Sequence, residues 1–187
     1  MVAVIERARR KLRRDEYDRM VAAGLFQGER LELIRGELVA VMSPIGVPHA
    51  TVVTELYRRL DRAAPRSLIA RSQQPLVCAD DSEPEPDLAV VPFDPAPTEH
   101  PMRAVLVVEV ADSSRDADLI GKAALYAESD VDEYWVIDLQ DACIHVHRDR
   151  AAGAWQSVAV HAADVRLSPR ALPDLAVSLD ELRRPAR

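Results

Sequence analysis

Aromatic rings are scarce. Phe, Trp and Tyr make up 4% of the 187 residues, which argues against a cleft that stacks sugars or a platform that stacks bases. Glycine is sparse too, and the six present form no phosphate-cradling loop. Cysteine occurs twice, at Cys78 and Cys143, far apart and each in an apolar, strand-like run. Two such residues make neither a disulfide framework nor a paired metal motif, so they read as buried thiols of a reducing compartment. No apolar run approaches the ~18 residues of a membrane span. The opening Met1-Val2-Ala3-Val4-Ile5-Glu6 places its basic residues after the apolar ones, the reverse of a secretory signal. A cytoplasmic protein with no membrane partner is expected. Positive charge is also in deficit: the net charge is −7, so any contact with nucleic acid must come from a local patch.

What the chain does contain is enough apolar residue, 48% against 29% charged, for one domain with a real core. Residues 1–14 read as a basic arm, with Arg7, Arg9, Arg10, Lys11, Arg13 and Arg14 against a single Glu. Residues 15–182 read as the domain and 183–187 as a solvated tail. A short helix is expected from Asp15 to Gly24, then a hairpin of Leu31–Ile34 and Glu37–Met42 around Arg35-Gly36. Ser43-Pro44-Ile45-Gly46-Val47-Pro48 is expected to break the chain. Val52, Val53, Leu56, Tyr57 and Leu60 then recur at helical spacing over His49–Asp61, with Arg58, Arg59, Arg62 and Arg66 on or beyond the polar side. Ser67–Cys78 reads as a strand pair or one bent strand, Asp87–Val91 as a short strand, and Ala104–Ala111 as a buried central strand. Ser113 or Ser114 is expected to cap a helix reaching Ser129, with an apolar stripe of Leu119, Ile120, Ala123 and Ala127. Strands follow at 133–138, 143–148 and 155–161, and a helical turn at 179–182. This order predicts an α/β protein of the α+β type, a mixed sheet flanked by helices.

One residue breaks the pattern. Glu109 stands in a run whose every other member from 104 to 111 is apolar, and a carboxylate buried there is costly unless paired or metal-bound. If the strands at 87–91 and 104–111 are antiparallel with Val91 opposite Val105, Asp87 falls opposite Glu109. Opposed side chains have Cβ atoms roughly 4.5–5.5 Å apart. Two carboxylates that close call for a cation, and a divalent metal with oxygen ligands is the simplest; the competing readings are an arginine partner, or a Glu109 that lies at the strand end in solvent. Lys122 lies on the flank of the next helix. It either pairs with Asp118 at i,i+4 or reaches over the sheet toward Glu109. His145 and His147 share a strand face without a third ligand in view, so they read as a solvated or half-buried pair.

Six segments occur in one order: Leu33-Ile34-Arg35-Gly36-Glu37-Leu38, Met42-Ser43-Pro44-Ile45-Gly46, Ser82-Glu83-Pro84-Glu85-Pro86-Asp87-Leu88-Ala89-Val90, Val107-Val108-Glu109-Val110-Ala111-Asp112-Ser113-Ser114, Lys122-Ala123-Ala124-Leu125-Tyr126-Ala127 and Glu133-Tyr134-Trp135-Val136-Ile137-Asp138. Together, over roughly residues 15–180, they resemble the Uma family of putative restriction endonucleases in the PD-(D/E)XK nuclease superfamily. The resemblance implies a restriction-endonuclease-like core of helix, three antiparallel strands, helix and fourth strand, carrying an additional N-terminal hairpin and C-terminal strands. Pro86-Asp87 stands for the PD and Glu109 for the acidic residue of (D/E)XK. Val110 and Ala111 occupy the X and K slots, so the lysine is displaced to Lys122 on the helix. Glu37, His49 and Gln73 are further candidates, as acidic ligand, phosphate or water contact, and weaker site residue. The implied activity is Mg²⁺- or Mn²⁺-dependent cleavage of DNA. Asp87, Glu109 and the Val110 backbone carbonyl hold the metal, Lys122 orients the attacking water, and a homodimer supplies one site per strand. The alternative is a catalytically inactive nuclease-fold module that binds DNA or a protein partner. A two-carboxylate glycosidase is disfavoured by the scarcity of rings and the nearby lysine.

Overall fold

The structure, a computed structural model, describes residues 10–40, 46–112 and 115–184. Most of the basic arm, residues 43–45 of the expected break, the Ser113/Ser114 cap and residues 185–187 lie outside the described residues, while Val47 and Pro48, expected in the break, instead open the second helix. Helix α1 (Arg14–Ala22) opens with Asp15 and Glu16 against its positive end. The Glu16 carboxylate accepts from the Arg13 N–H (3.1 Å), and Gly24, at φ 71°, lies just past the helix end. Strands β1 (Leu31–Ile34) and β2 (Glu37–Ala40) form the expected hairpin. Its turn residues Arg35 and Gly36 both have positive φ, 50° and 78°, the geometry that two-residue hairpins require. Residues 10–14 are tied down here: Leu12 N–H donates to the Gly36 carbonyl, Arg14 N–H to the Asp80 carbonyl, and Arg10 pairs with Glu16.

Helix α2 (Val47–Ala63) buries Val52, Val53, Leu56 and Leu60 on one face, each contributing roughly 1.5–3 kcal/mol by leaving water. Next come β3 (Leu68–Ser72), β4 (Leu88–Pro92), β5 (Arg103–Ala104) and β6 (Leu106–Ala111). A π-helical turn (Ala117–Lys122) runs into α3 (Ala123–Glu128). Strands β7 (Asp130–Val131), β8 (Tyr134–Asp138), β9 (Cys143–Ala151) and β10 (Ala154–Ala162), with helix α4 (Leu179–Arg183), complete the chain. The central sheet has six strands in the order β10-β9-β8-β6-β4-β3. Its strands are antiparallel except for β6 and β8, which are parallel and joined through α3. Thus α2, three antiparallel strands, α3 and β8 follow one another as expected. The small pairs β1-β2 and β5-β7 stand apart.

Alternation along β6 divides the core. Leu106, Val108 and Val110 pack with α2, α4, Trp135 and Ile137, while Val107 and Ala111 pack with Ala123, Tyr126, Tyr134 and Val136. All six residues of β6 are buried, as both faces of a central strand should be. The register puts Leu88 opposite Val108 and Val90 opposite Leu106. This is the pairing that carries Asp87 to Glu109. The helix after β6 departs from expectation. Ile120, assigned to the apolar stripe, is 71% exposed, while Asp118 is buried. Bonding from i to i+5 widens the turn and shifts which residues face the sheet. Among the described residues, no helix is long and apolar enough to cross a membrane, and both cysteines are free and partly buried.

Candidate active site

The site forms where β4 begins beside β6, under the π-turn and α3. Asp87 and Glu109 clasp each other through the backbone. Asp87 N–H donates to Glu109 Oε2 (3.2 Å), and Val110 N–H donates to Asp87 Oδ2 (2.9 Å). His49, in the first turn of α2, lies 3.0 Å from the same Asp87 oxygen through Nε2. Its Nδ1 is buried without a partner among the described residues. The hydrogen bond to Asp87 raises the His49 pKa above the ordinary imidazole value, against the effect of burial.

Lys122 reaches over the sheet. Its Nζ donates to Glu109 Oε1 (3.0 Å) and to Glu32 Oε1 (3.3 Å), and its side chain is 17% exposed. Tyr126, one turn further along, donates its hydroxyl to the same Glu109 oxygen (3.1 Å). Burial pushes the Glu109 carboxyl up to about 8; Lys122 pulls it down, and the carboxylates of Asp87, Asp118 and Glu32 push with the burial. Burial works against the Lys122 ammonium, but Glu109, Glu32 and Asp118 outweigh it and hold the lysine above its ordinary range. Among the described residues the cluster gathers Asp87, Glu109 and Glu32 around one lysine and one histidine.

Gln73 serves through its backbone. At φ 50° its N–H points to the carbonyls of Pro86 (3.1 Å) and Asp87 (3.2 Å). The Ser72 hydroxyl also donates to the Asp87 carbonyl (3.1 Å). What the structure records at Val110 is the amide, which holds Asp87. Glu37 is not brought in: it is exposed at the start of β2, opposite Ile34. The hairpin's contribution is instead Glu32, 4% exposed, whose Oε1 also accepts from the Glu85 N–H (3.1 Å). Sequence reasoning passed over Glu32 and Tyr126, although both leave a signal. Glu32 sits among Leu31, Leu33 and Ile34 as Glu109 sits among valines, and Tyr126 is four residues from Lys122 on one helical face.

The arginines on and beyond the polar side of α2 divide into two groups. Arg58 and Arg59 are paired with Glu55, and Arg59 also with Glu181, whereas Arg62 and Arg66 are exposed.

Over residues 14–180 the sequence matches the family described as "Uma2: Putative restriction endonuclease". The fold is similar to the crystal structure of "a putative nuclease belonging to DUF820" from Anabaena variabilis. The TM-score is 0.69 at 18% identity, over 83% of this chain and 90% of that one. Comparison with curated proteins finds no match.

Proposed function

This chain belongs to the Uma2 family, and we propose that it is a metal-dependent endonuclease that hydrolyses DNA phosphodiester bonds at Asp87, Glu109 and Lys122. One observation carries the reading: a buried carboxylate pair, clasped through two backbone amides, with a lysine ammonium 3.0 Å from one of its oxygens. The donor set fits a hard divalent cation. Carboxylate oxygens are the ligands Mg²⁺ and Mn²⁺ prefer, and a Glu109 carboxyl pushed up to about 8 by burial and neighbouring acids is relieved by added positive charge. Asp87 and Glu109 would hold the ion, with the Val110 carbonyl as the backbone ligand. A divalent ion held there would supply Lewis acidity for the phosphate and the attacking water.

The protein's own groups do the rest. Lys122 orients the attacking water or offsets charge on the phosphate oxygens. Tyr126 and Glu32 hold Glu109 and Lys122 in place, and His49 steadies Asp87 at the mouth of the site. Arg62 and Arg66 supply phosphate contacts, and two copies of the chain supply one site for each strand.

The test couples binding to cleavage. Mg²⁺ or Mn²⁺ at about 100 times its Kd should stabilise the folded chain by about 2.7 kcal/mol, and should support nicking of plasmid DNA. Asp87→Asn should remove most of the thermal shift and the nicking together. Equal metal affinity in both proteins by calorimetry would refute the site. Metal binding without cleavage of any DNA would favour the inactive, DNA-binding or protein-binding module.

A further inference from the structure

A second cluster of ligating side chains lies outside the acidic site. The β8–β9 register pairs Asp138 with Cys143 and Val136 with His145. Side chains two apart on a strand share a face, so Cys143, His145 and, across the ladder, Asp138 converge. Their ligating atoms all lie within 4.8 Å of one another, and Cys143 Sγ is 3.4 Å from His145 Nε2. That sulfur–nitrogen separation matches the edge of a tetrahedron with a Zn–S bond of ~2.3 Å and a Zn–N bond of ~2.0 Å. The strand face that sequence reading gave to His145 and His147 is therefore split. His147 turns its ring to Tyr134 and Trp155, and His145 goes to the thiol and the carboxylate.

We propose that Asp138, Cys143 and His145 form a binding site for a thiophilic divalent cation of the zinc type, distinct from the oxygen-ligand centre at Asp87 and Glu109. A thiolate, an imidazole and a carboxylate make a mixed set that zinc accepts and magnesium does not. Asp138 is preset for the role. Its Oδ1 accepts the N–H groups of Gln140 (3.0 Å) and Asp141 (2.9 Å), and its Oδ2 accepts from Arg115. Ligating carboxylates are held by outer partners in this way. Charge closes as well. Arg115 also pairs with Asp141, so a dication would be balanced by the Asp138 carboxylate and the Cys143 thiolate.

On binding, Cys143 loses its S–H proton to solvent, the sulfur lone pair forms the metal bond, and neutral His145 donates without losing a proton. The ion would join the end of β8 to the start of β9 across their tight turn.

Co²⁺ is the probe, added to the full chain, because a cobalt–thiolate bond gives a charge-transfer band that oxygen ligands do not. The wild type should show this band with a single equivalent bound, and Zn²⁺ should displace it. Cys143→Ser should abolish the band, and His145→Gln should abolish it or weaken the binding. Cys78→Ser and Asp87→Asn should both retain it. Retention in Asp87→Asn keeps the result separate from the nuclease reading. No band in the wild type, or a band that survives Cys143→Ser or disappears with Cys78→Ser, would overturn the proposal. Circular dichroism of each variant confirms that the fold is intact. If Cys143→Ser does not fold, His145→Gln decides: an undiminished band there would overturn the site.

Discussion

Replacing Lys122 by methionine separates a catalytic lysine from a structural one. The side chain is mostly buried and faces Glu109 and Glu32, whose own side chains are 4% and 6% exposed. Above the pH at which Glu109 ionises, removing the ammonium leaves two buried carboxylates without their cation. Breaking a buried ion pair costs about 3–5 kcal/mol. The low end applies here, because Glu109 keeps Tyr126 and the Asp87 N–H, and Glu32 keeps the Glu85 N–H. A loss of about 3 kcal/mol lowers the Tm by roughly 6–12 °C for a chain of this size. Cleavage should fall by roughly 100-fold or more, the scale for one positioned electrostatic group, while metal affinity is retained because lysine is not a ligand.

The loss should depend on pH with a definite sign. The Glu109 carboxyl stands above its ordinary 4.5 in the folded protein. It therefore contributes stability that is complete below 4.5 and lost as the pH rises through its folded value. Without Lys122 that value rises further, so the gap between variant and wild type should shrink as the pH falls. Adding Glu32→Gln to Lys122→Met should recover part of the stability, since one of the two orphaned charges is gone. Thermal melts followed by intrinsic fluorescence, together with plasmid nicking under saturating Mg²⁺, make the measurement. Wild-type turnover would show that the lysine has no part in catalysis. Unchanged stability would show that it does not pair with Glu109 and Glu32 in solution.

Three further outcomes follow from groups in and around the core. Glu32→Gln should lower both stability and cleavage, whereas Glu37→Gln, on the exposed start of β2, should leave both within about 0.5 kcal/mol and twofold; the same melts and nicking assay distinguish them. His147 is buried with neither ring nitrogen hydrogen-bonded among the described residues, and burial holds its pKa down at about 4. Its contribution to stability is present above 6.5 and lost as the pH falls through about 4, on the order of 3 kcal/mol at full extent. His147→Phe, stacking on Tyr134, should flatten that acid limb in urea titrations between pH 4 and 7. Burial pushes Glu83 up to about 7, with Oε2 lacking a hydrogen bond among the described residues and Arg14 4.0 Å away. Its contribution is complete below 4.5 and lost as the pH rises through about 7, so Glu83→Gln should stabilise the protein at pH 8 by about 1–3 kcal/mol; a variant less stable than wild type at that pH would contradict it.

The sequence alone determined what periodicity and local chemistry encode. The apolar face of α2, the doubly buried β6 and the two-residue turn at Arg35-Gly36 follow from spacings of 3.6 and 2 and from glycine's freedom at positive φ. The pairing of Asp87 with Glu109 was legible for the same reason: a buried strand of fixed alternation facing a short neighbour leaves few registers. Lys122 was legible only as one of two partners, since a helix in isolation does not say which of its flanks meets the sheet. The tertiary structure decided that, through the π-turn that faces Asp118 inward and leaves Ile120 in solvent. It also chose Glu32 over Glu37, because docking of the hairpin selects which carboxylate is buried and alternation in a two-stranded ribbon does not. Asp138, Cys143 and His145 meet by cross-strand register at a hairpin end, where the turn sets the pairing. No spacing along the chain expresses a contact made across two strands, so that cluster exists only once the sheet is formed.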